Sequence, residues 1–241
     1  MTSTLHLDGR LGNHIIRNIL VSIISEKNNL YVEYSYYDEI KSIGINLFIG
    51  ELKYDNYIVL VNSNLLDYIN SDNIKSNLFI NDWFQSKEIS NYLYTYLQQE
   101  NIKKNIINNN IFNKRYNNNN DTFIHIRLSD VEKYNPGFEY YDKILSSINF
   151  TNGYIGSDSF NHEICQNIIK KYSNISLFEN NEINTIKFAS TCKNIILSHG
   201  SFSAIIGYLS FFSKIYYPEY EDNKIWYGDM FSIPNWNKIS F

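Results

Sequence analysis

The sequence predicts an α/β protein in which a mostly parallel sheet is covered by helices. Three observations indicate this fold class. Short apolar segments typical of strands alternate with amphipathic segments typical of helices along most of the chain. The spacing of these units leaves room for the helical crossover that two parallel strands require. Polar or small residues follow several predicted strands, at the ends where such sheets bind ligands.

The N-terminal half begins with a short predicted strand, TLHL and its neighbours, followed by a helix. Ile15, Ile16, Ile19 and Leu20 recur at intervals of three and four, which is the spacing of one helical face. Apolar runs then alternate with helical segments. The predicted strands are 3–7, 30–34, 56–61 and 77–82, and the predicted helices are 13–25 and 89–100.

The middle of the chain, NIKKNIINNNIFNKRYNNNND at 101–121, is rich in asparagine and has little periodicity. Such a composition is typical of a connector, and we place a domain boundary near 116–121, giving domains at 1–118 and 119–241. An asparagine-rich surface loop inside a single domain is the alternative.

Strand and helix patterns alternate regularly again after residue 121, which strengthens the prediction of a parallel sheet. Five strands and four helices are expected. The strands are TFIHI at 122–126, NGYIGS at 152–157, ISLFE at 175–179, NIILS at 194–198 and KIYYP at 214–218, and the helices are 138–148, 159–172, 183–192 and 202–212.

The composition excludes several classes of protein. A chain of 241 residues that is 44% hydrophobic has enough apolar surface for a core and too much for disorder. The formal net charge of -4 argues against broad capture of nucleic acid, which requires a basic face. The most apolar long segment, 201–217, is interrupted by serines and by Lys214, so no membrane span is expected.

The cysteines and the N-terminus indicate a cytoplasmic location. Cys165 and Cys192 form no CxxC motif and no disulfide framework, which favours a reducing compartment. The first ten residues have neither the basic nor the long apolar region of a secretory signal.

Four polar turns follow predicted strands and carry the residue types that a phosphorylated ligand requires. Gly200, Ser201 and Ser203 lie where a loop enters a helix, so that N–H groups and hydroxyls can bind an anion there. A serine that only caps the helix is the alternative. The four turns are DGRLGN at 8–13, HIRLSD at 125–130, GSDS at 156–159 and SHGSFS at 198–203.

Arg127 and Asp158 are the charged residues at the ends of two of these strands. A guanidinium at the end of an apolar strand needs a carboxylate or a phosphate as partner, and an ion pair with Asp130 is as well supported as a phosphate contact. His125 points to the same face of its strand as Arg127. Asp158 can accept from the N1–H and the exocyclic amine of guanine, or it can form a local turn or helix cap.

Taken together, the turns resemble the ordered motifs of α-1,2-fucosyltransferases and, more distantly, of α-1,6- and protein O-fucosyltransferases. The resemblance covers nearly the whole chain except its asparagine-rich middle. It rests on GRLGN before an amphipathic helix, HIRLSD followed by FEYY, GSDS, FASTCKNIILSHGSFSAIIGYLS, and the ending IWYGDMFSIPNWNKIS.

The sequence departs from that family at several positions. His125 to Asp130 read H-I-R-L-S-D where the α-1,2 enzymes have H-x-R-R-G-D, and a single arginine is closer to the protein O-fucosyltransferase pattern. His14 replaces a glutamine, and SHGSFSAIIG replaces a tryptophan-containing segment. These departures weaken the assignment to an α-1,2 linkage and leave open a transferred sugar that is a relative of fucose.

The resemblance implies a GT-B-like architecture, with two Rossmann-like domains and the donor site in the cleft. It further implies an inverting glycosyltransferase that transfers fucose or a related deoxysugar from a GDP-sugar to a glycan hydroxyl. The partners would be the nucleotide sugar and the glycan acceptor. The implied donor-binding residues are Arg10, Gly12, Asn13, His125, Arg127, Asp158, His199, Gly200, Ser201, Phe202 and Ser203.

Arg127 is the main candidate for stabilising the departing nucleoside diphosphate. The candidate general bases are Asp8, His14 and Asp130. No D-x-D pair that would hold Mn²⁺ occurs, so we expect no metal and no cofactor besides the donor. A lectin-like or pseudoenzyme module is the alternative function, as is a glycosyltransferase that uses a UDP- or dTDP-sugar. A dinucleotide-dependent oxidoreductase is disfavoured because no GxGxxG follows the first strand.

Overall fold

The protein is described by a computed structural model that covers residues 1–220 and 229–241. The chain divides into two compact units, 1–109 and 110–241. The sequence placed the boundary later, after residue 118. The difference arises because the later part of the asparagine-rich segment, from Asn110 onward, is anchored in the second unit.

Several side chains of that segment make the anchoring contacts, and Asn110 and Arg115 are two of them. The Nδ2 of Asn110 donates to the backbone carbonyl of Lys187 at 2.8 Å. The Nη2 of Arg115 donates to Asp121 Oδ2 at 2.7 Å, and Asp121 is buried. A polar composition is therefore compatible with fixed structure here, because the asparagine and arginine donors find buried acceptors.

The first unit, 1–109, consists of four short strands and five helices. Strands β1 and β2 form one parallel pair, and β3 and β4 form another. The backbone N–H of Leu78 in β4 donates to Thr2 Oγ1 in β1 at 2.8 Å, which places these two strands side by side. The elements are β1 (Thr2–Ser3), α1 (Leu11–Asn28), β2 (Val32–Glu33), α2 (Tyr37–Ser42), β3 (Tyr57–Leu60), α3 (Leu65–Asn70), β4 (Asn77–Ile80), α4 (Lys87–Leu97) and α5 (Glu100–Asn109).

The first strand is shorter than the predicted 3–7. Its pairing with β2 covers only two residues, and the chain then turns, with the N–H of Leu7 donating to the carbonyl of Thr4. Helix α1 contains the whole predicted helix. It ends at Asn29, which adopts a left-handed conformation and returns its N–H to the carbonyl of Ser25.

The second unit, 110–241, contains a six-stranded parallel sheet with helices between the strands. The fold class is thus α/β, as predicted. The elements are β5 (Thr122–Ile126), α6 (Phe138–Ser147), β6 (Gly153–Ser157), α7 (Glu163–Lys171), β7 (Ile175–Leu177), α8 (Glu182–Ala189), β8 (Asn194–Ile196), α9 (Ser201–Tyr208), β9 (Lys214–Pro218) and β10 (Asn237–Ile239).

The strand order is β10-β9-β8-β5-β6-β7. Within this unit, β5 lies in the middle of the sheet. The next two strands, β6 and β7, follow on one side of β5, and β8 then lies on its other side. This is the order of a doubly wound Rossmann-like sheet, with its topological switch point between β5 and β8. Ligands of such sheets bind outside the carboxyl ends of the strands at this point.

Apolar side chains of the sheet pack against helices α6 and α7. Ile124 and Ile155 of the sheet and Tyr140 and Ile168 of the helices are completely buried in one cluster. Cys165 belongs to the same cluster, and both cysteines are buried free thiols. The strand ends above this core are thus held in fixed positions.

No helix within 1–220 and 229–241 is long and apolar enough to cross a membrane. The family-like ending begins at 225–228, which lies outside the described residues.

Candidate functional site

Three strand ends of the second unit meet at the switch point and carry residues that the sequence singled out. Ile126 pairs with Ser157 in register, so Arg127 and Asp158 leave the sheet side by side. Strand β8, on the other side of β5, continues into SHGSFS and helix α9. The polar turns of the second unit are therefore brought together, as parallel strands require.

Arg127 makes ion pairs with two carboxylates. One terminal nitrogen binds Asp158 Oδ2, and the other binds Asp130 Oδ1 at 2.5 Å. The side chain of Arg127 is 15% exposed, whereas that of Asp130 is 60% exposed. The ion pair with Asp130, which the sequence left open as an alternative to a phosphate contact, is present in the structure.

Asp158 is held by donors of the protein on both of its oxygens. Its Oδ1 accepts from the backbone N–H of Leu128 at 2.9 Å, and its Oδ2 accepts from Arg127. Recognition of guanine by Asp158 stays a prediction. It would require the base to share or replace these donors.

His125 connects the end of β5 to the first turn of α9. Its Nδ1 forms a hydrogen bond with the hydroxyl of Ser203 at 2.5 Å, and both side chains are buried. Burial lowers the pKa of His125 to about 3, so the imidazole is neutral at physiological pH. His125 and Ser203 therefore set the position of α9 relative to β5, and the ring of Phe202 lies 5.3 Å from the imidazole.

Helix α9 begins without a side-chain cap. Its N-cap residue is Gly200, with φ at 88°, so the alternative of a capping serine is not what the structure has. Apart from Gly200 itself and its two chain neighbours, no described residue has a heavy atom within 4 Å of the position that a Cβ at Gly200 would occupy. The glycine is required by its backbone conformation, and the start of α9 faces open space.

His199 follows β8 and is buried. Its Nδ1 forms a hydrogen bond with the Ser198 hydroxyl at 3.2 Å. Burial, together with the charge of Arg127, lowers the pKa of His199 to about 4. We therefore expect this imidazole to be neutral as well.

Asn135 was missed by the sequence analysis. Its Nδ2 donates to the carbonyl of Arg127 at 2.8 Å and to the hydroxyl of Tyr141 at 3.1 Å. Its Oδ1 accepts from the N–H of Gly137 at 2.9 Å. The Asn-Pro-Gly sequence is a turn signal that could have identified it, since asparagine bonds to its own backbone in such turns.

The predicted residues of the first unit surround the start of α1. Asp8 and Arg10 are exposed, and Gly12 is buried. Asn13 accepts a hydrogen bond from Gln85 Nε2 at 2.8 Å. Arg10 is the N-cap residue of α1 and makes no capping hydrogen bond with its side chain.

Both ring nitrogens of His14 have partners. Its Nε2 lies 3.2 Å from the carbonyl of Gly9, which can only accept, so this nitrogen carries the proton. The Nδ1 then accepts from the hydroxyl of Ser35 at 2.6 Å. Burial lowers the pKa of His14, so the neutral form is favoured. A role as general base would require His14 to give up one of these contacts.

A buried arginine next to this turn was not predicted. Arg17 is 3% exposed, donates to the carbonyl of Asp8, and has its guanidinium 4.8 Å from the ring centre of Trp83. Burial lowers the pKa of Arg17 to about 10. Arg17 lies three residues before Leu20 and seven before Ile24, at the edge of the apolar stripe of α1, and this spacing is the signal that could have identified it.

No group of three or more His, Cys, Asp or Glu side chains that could hold a metal ion occurs in the part of the chain that the structure describes. At the switch point, the carboxylates of Asp130 and Asp158 both bind Arg127. The guanidinium of Arg127 thus binds an anionic group through each of its two terminal nitrogens.

The resemblance to fucosyltransferases stays a prediction from the sequence motifs. The chain matches no protein-family model, and it has no significant match among curated proteins.

Proposed function

We propose that the chain is an inverting glycosyltransferase that transfers fucose or a related deoxysugar from a GDP-sugar to a glycan hydroxyl. The observation that carries the proposal is the position of Arg127. Its guanidinium lies at the switch point of a doubly wound sheet, where such folds bind nucleotides. The start of α9, which the His125–Ser203 pair ties to the same strand, lies across that point.

The chemistry follows from these two groups. Departure of a nucleoside diphosphate places negative charge on its phosphate oxygens. A guanidinium and the N–H groups at the start of a helix stabilise that charge better than water does, because they are already oriented. In this proposal Arg127 binds the diphosphate, and the backbone at Gly200 and Ser201 assists.

Asp8 and Asp130 are the candidate general bases whose side chains are exposed. His14 is a weaker candidate because both its nitrogens are bound within the protein. The GT-B-like arrangement, the absence of a metal requirement and the cytoplasmic location are further parts of the proposal.

Calorimetric titration with GDP, UDP and dTDP tests the proposal, first without metal and then with Mn²⁺. We expect GDP to bind without metal and Arg127→Ala to abolish binding. Arg127→Lys keeps the charge but loses the planar fork, so it should retain weak binding. Lys193→Ala, at the amino end of β8 and exposed, removes one positive charge away from the site and is the control.

Turnover is tested with GDP-fucose and an array of glycan acceptors. Loss of one charge-stabilising donor typically costs about 100- to 1000-fold in rate, and we expect a loss of that order for Arg127→Ala. If UDP or dTDP binds more tightly than GDP, the proposed site stands, but the donor is a UDP- or dTDP-sugar.

A lectin-like or pseudoenzyme module is the second candidate. The observation that favours it is the internal pairing of Arg127 with two carboxylates, which leaves a structural role for the arginine. Binding of a nucleotide or glycan without any transfer or donor hydrolysis would support this candidate. Transfer that is lost in Arg127→Ala would exclude it.

A further inference from the structure

We propose that Asp130 occupies on Arg127 the position of a donor phosphate oxygen, and that it must leave before the donor binds. Asp130 would thus set the affinity of the site for nucleoside diphosphates. This inference rests on the proposed function, since it concerns how tightly the same arginine binds the donor.

The two carboxylates on Arg127 are not equivalent. Asp158 is 23% exposed, and the backbone N–H of Leu128 fixes its second oxygen. Asp130 is 60% exposed and lies three residues after Arg127 in the chain. Asp158 is therefore a fixed partner that orients the guanidinium, whereas Asp130 is the partner that can be exchanged.

The backbone that carries Asp130 is irregular. Residues 129–134 form a short 3-10 segment in which Ser129 has φ at 41° and Val131 departs from helical geometry. A non-glycine residue in the left-handed region costs on the order of 1 kcal/mol. Asp130 lies in this segment outside the sheet and is 60% exposed, so the exchange does not require the sheet to move.

The charges at the site favour the same conclusion. One guanidinium carries one positive charge, and the two carboxylates together carry two negative charges. A diphosphate approaching this cluster meets a net negative charge, which opposes binding. When Asp130 leaves, Arg127 and Asp158 remain as a neutral pair with an open side of the guanidinium for phosphate oxygens.

The sequence offers a matched control for Asp130. Glu132 lies in the same segment and is 59% exposed, and its Oε1 binds His162 Nε2 at 2.9 Å. Asp130→Asn and Glu132→Gln each remove one negative charge from equally exposed positions. Only the first change removes an ionic partner of Arg127.

The experiment measures the affinity of the full chain for GDP and for inorganic pyrophosphate by calorimetry, in the wild type and in both variants. We expect Asp130→Asn to bind both probes about two- to fivefold more tightly, which is the value of an exposed ion pair. Glu132→Gln should bind like the wild type. Asp158→Asn should bind more weakly, because Arg127 loses its fixed partner.

The outcomes separate the two proposals. If the wild type binds GDP and Asp130→Asn binds it no more tightly than Glu132→Gln does, the inference is overturned and the proposed function stands. If none of the proteins binds GDP or pyrophosphate, both are overturned. A variant Asp130→Asn that binds as the wild type does but loses transfer would assign Asp130 as general base instead.

Discussion

The buried side chain of His125 connects two elements of the candidate site, and it does so in the neutral form. The imidazole of His125 lies against Ser203, and its pKa is lowered to about 3 by burial. In the unfolded chain a histidine titrates near pH 6.5. Between these two values the unfolded state binds more protons than the folded state, so stability falls as the pH is lowered.

His125→Gln tests this linkage. The variant loses a packed ring and is less stable than the wild type at pH 7. We expect that difference in the free energy of unfolding to shrink as the pH falls from about 6.5 to 4.5, because only the wild type has His125 to protonate. Urea unfolding at several pH values measures it. A difference that is constant over this range would contradict the lowered pKa.

The ion pair between Arg127 and Asp158 could not be predicted from the sequence because it depends on the register of β5 and β6. Asp158 lies opposite Arg127 only because Ile126 pairs with Ser157. A shift of the register would separate the two side chains. Asn135 was missed for a related reason, since its donor contacts the carbonyl of Arg127 across a turn that no periodicity describes.

A strand or helix could be predicted where its own residues show a clear pattern. Strand β5 has the predicted bounds because a short segment rich in β-branched and aromatic residues is flanked by the charged residues Asp121 and Arg127. Strand β1 was predicted too long, since its length is set by its two-residue pairing with β2. Helices α2 and α3 have six residues each, too few to establish a helical period, and they were not predicted.

Helix α9 is positioned by a glycine in its interior. A Cβ at Gly207 would lie 2.3 Å from the Cη2 atom of Trp236, whose ring packs on the rings of Tyr208 and Phe231. Alanine in place of a helical glycine ordinarily stabilises by about 1 kcal/mol. Here the clash outweighs that gain, because the tryptophan has aromatic neighbours.

We expect Gly207→Ala to destabilise the protein by about 1–3 kcal/mol. Urea unfolding measures the loss. In a Trp236→Ala background the same substitution meets no ring, so it should be neutral or stabilising. Destabilisation of equal size in both backgrounds would show that the ring is not the cause.

At the scale of the whole chain, the alternation of strands and helices was sufficient to predict a parallel sheet. The strand order was not predictable, because nothing in the alternation shows on which side of β5 the chain returns. That return creates the switch point. The fold class can thus be predicted from local sequence patterns, whereas the site is created by the order of the strands in the sheet.

Two fragments that differ at their N-terminal ends test where the second unit begins. The fragment 110–241 keeps the bond from Asn110 to Lys187 and the ion pair between Arg115 and Asp121. The fragment 119–241 lacks both, so Asp121, whose side chain is 7% exposed in the full chain, loses its cation. Removing one partner of a buried ion pair costs about 3–5 kcal/mol.

We therefore expect 110–241 to unfold cooperatively in urea, and 119–241 to be destabilised by about 3–5 kcal/mol or to remain unfolded. Circular dichroism and urea titration compare the two. Asp121→Asn in the shorter fragment is the control, since it removes the uncompensated charge and should restore part of the stability. Equal stability of the two fragments would show that residues 110–118 are a connector and do not belong to the unit.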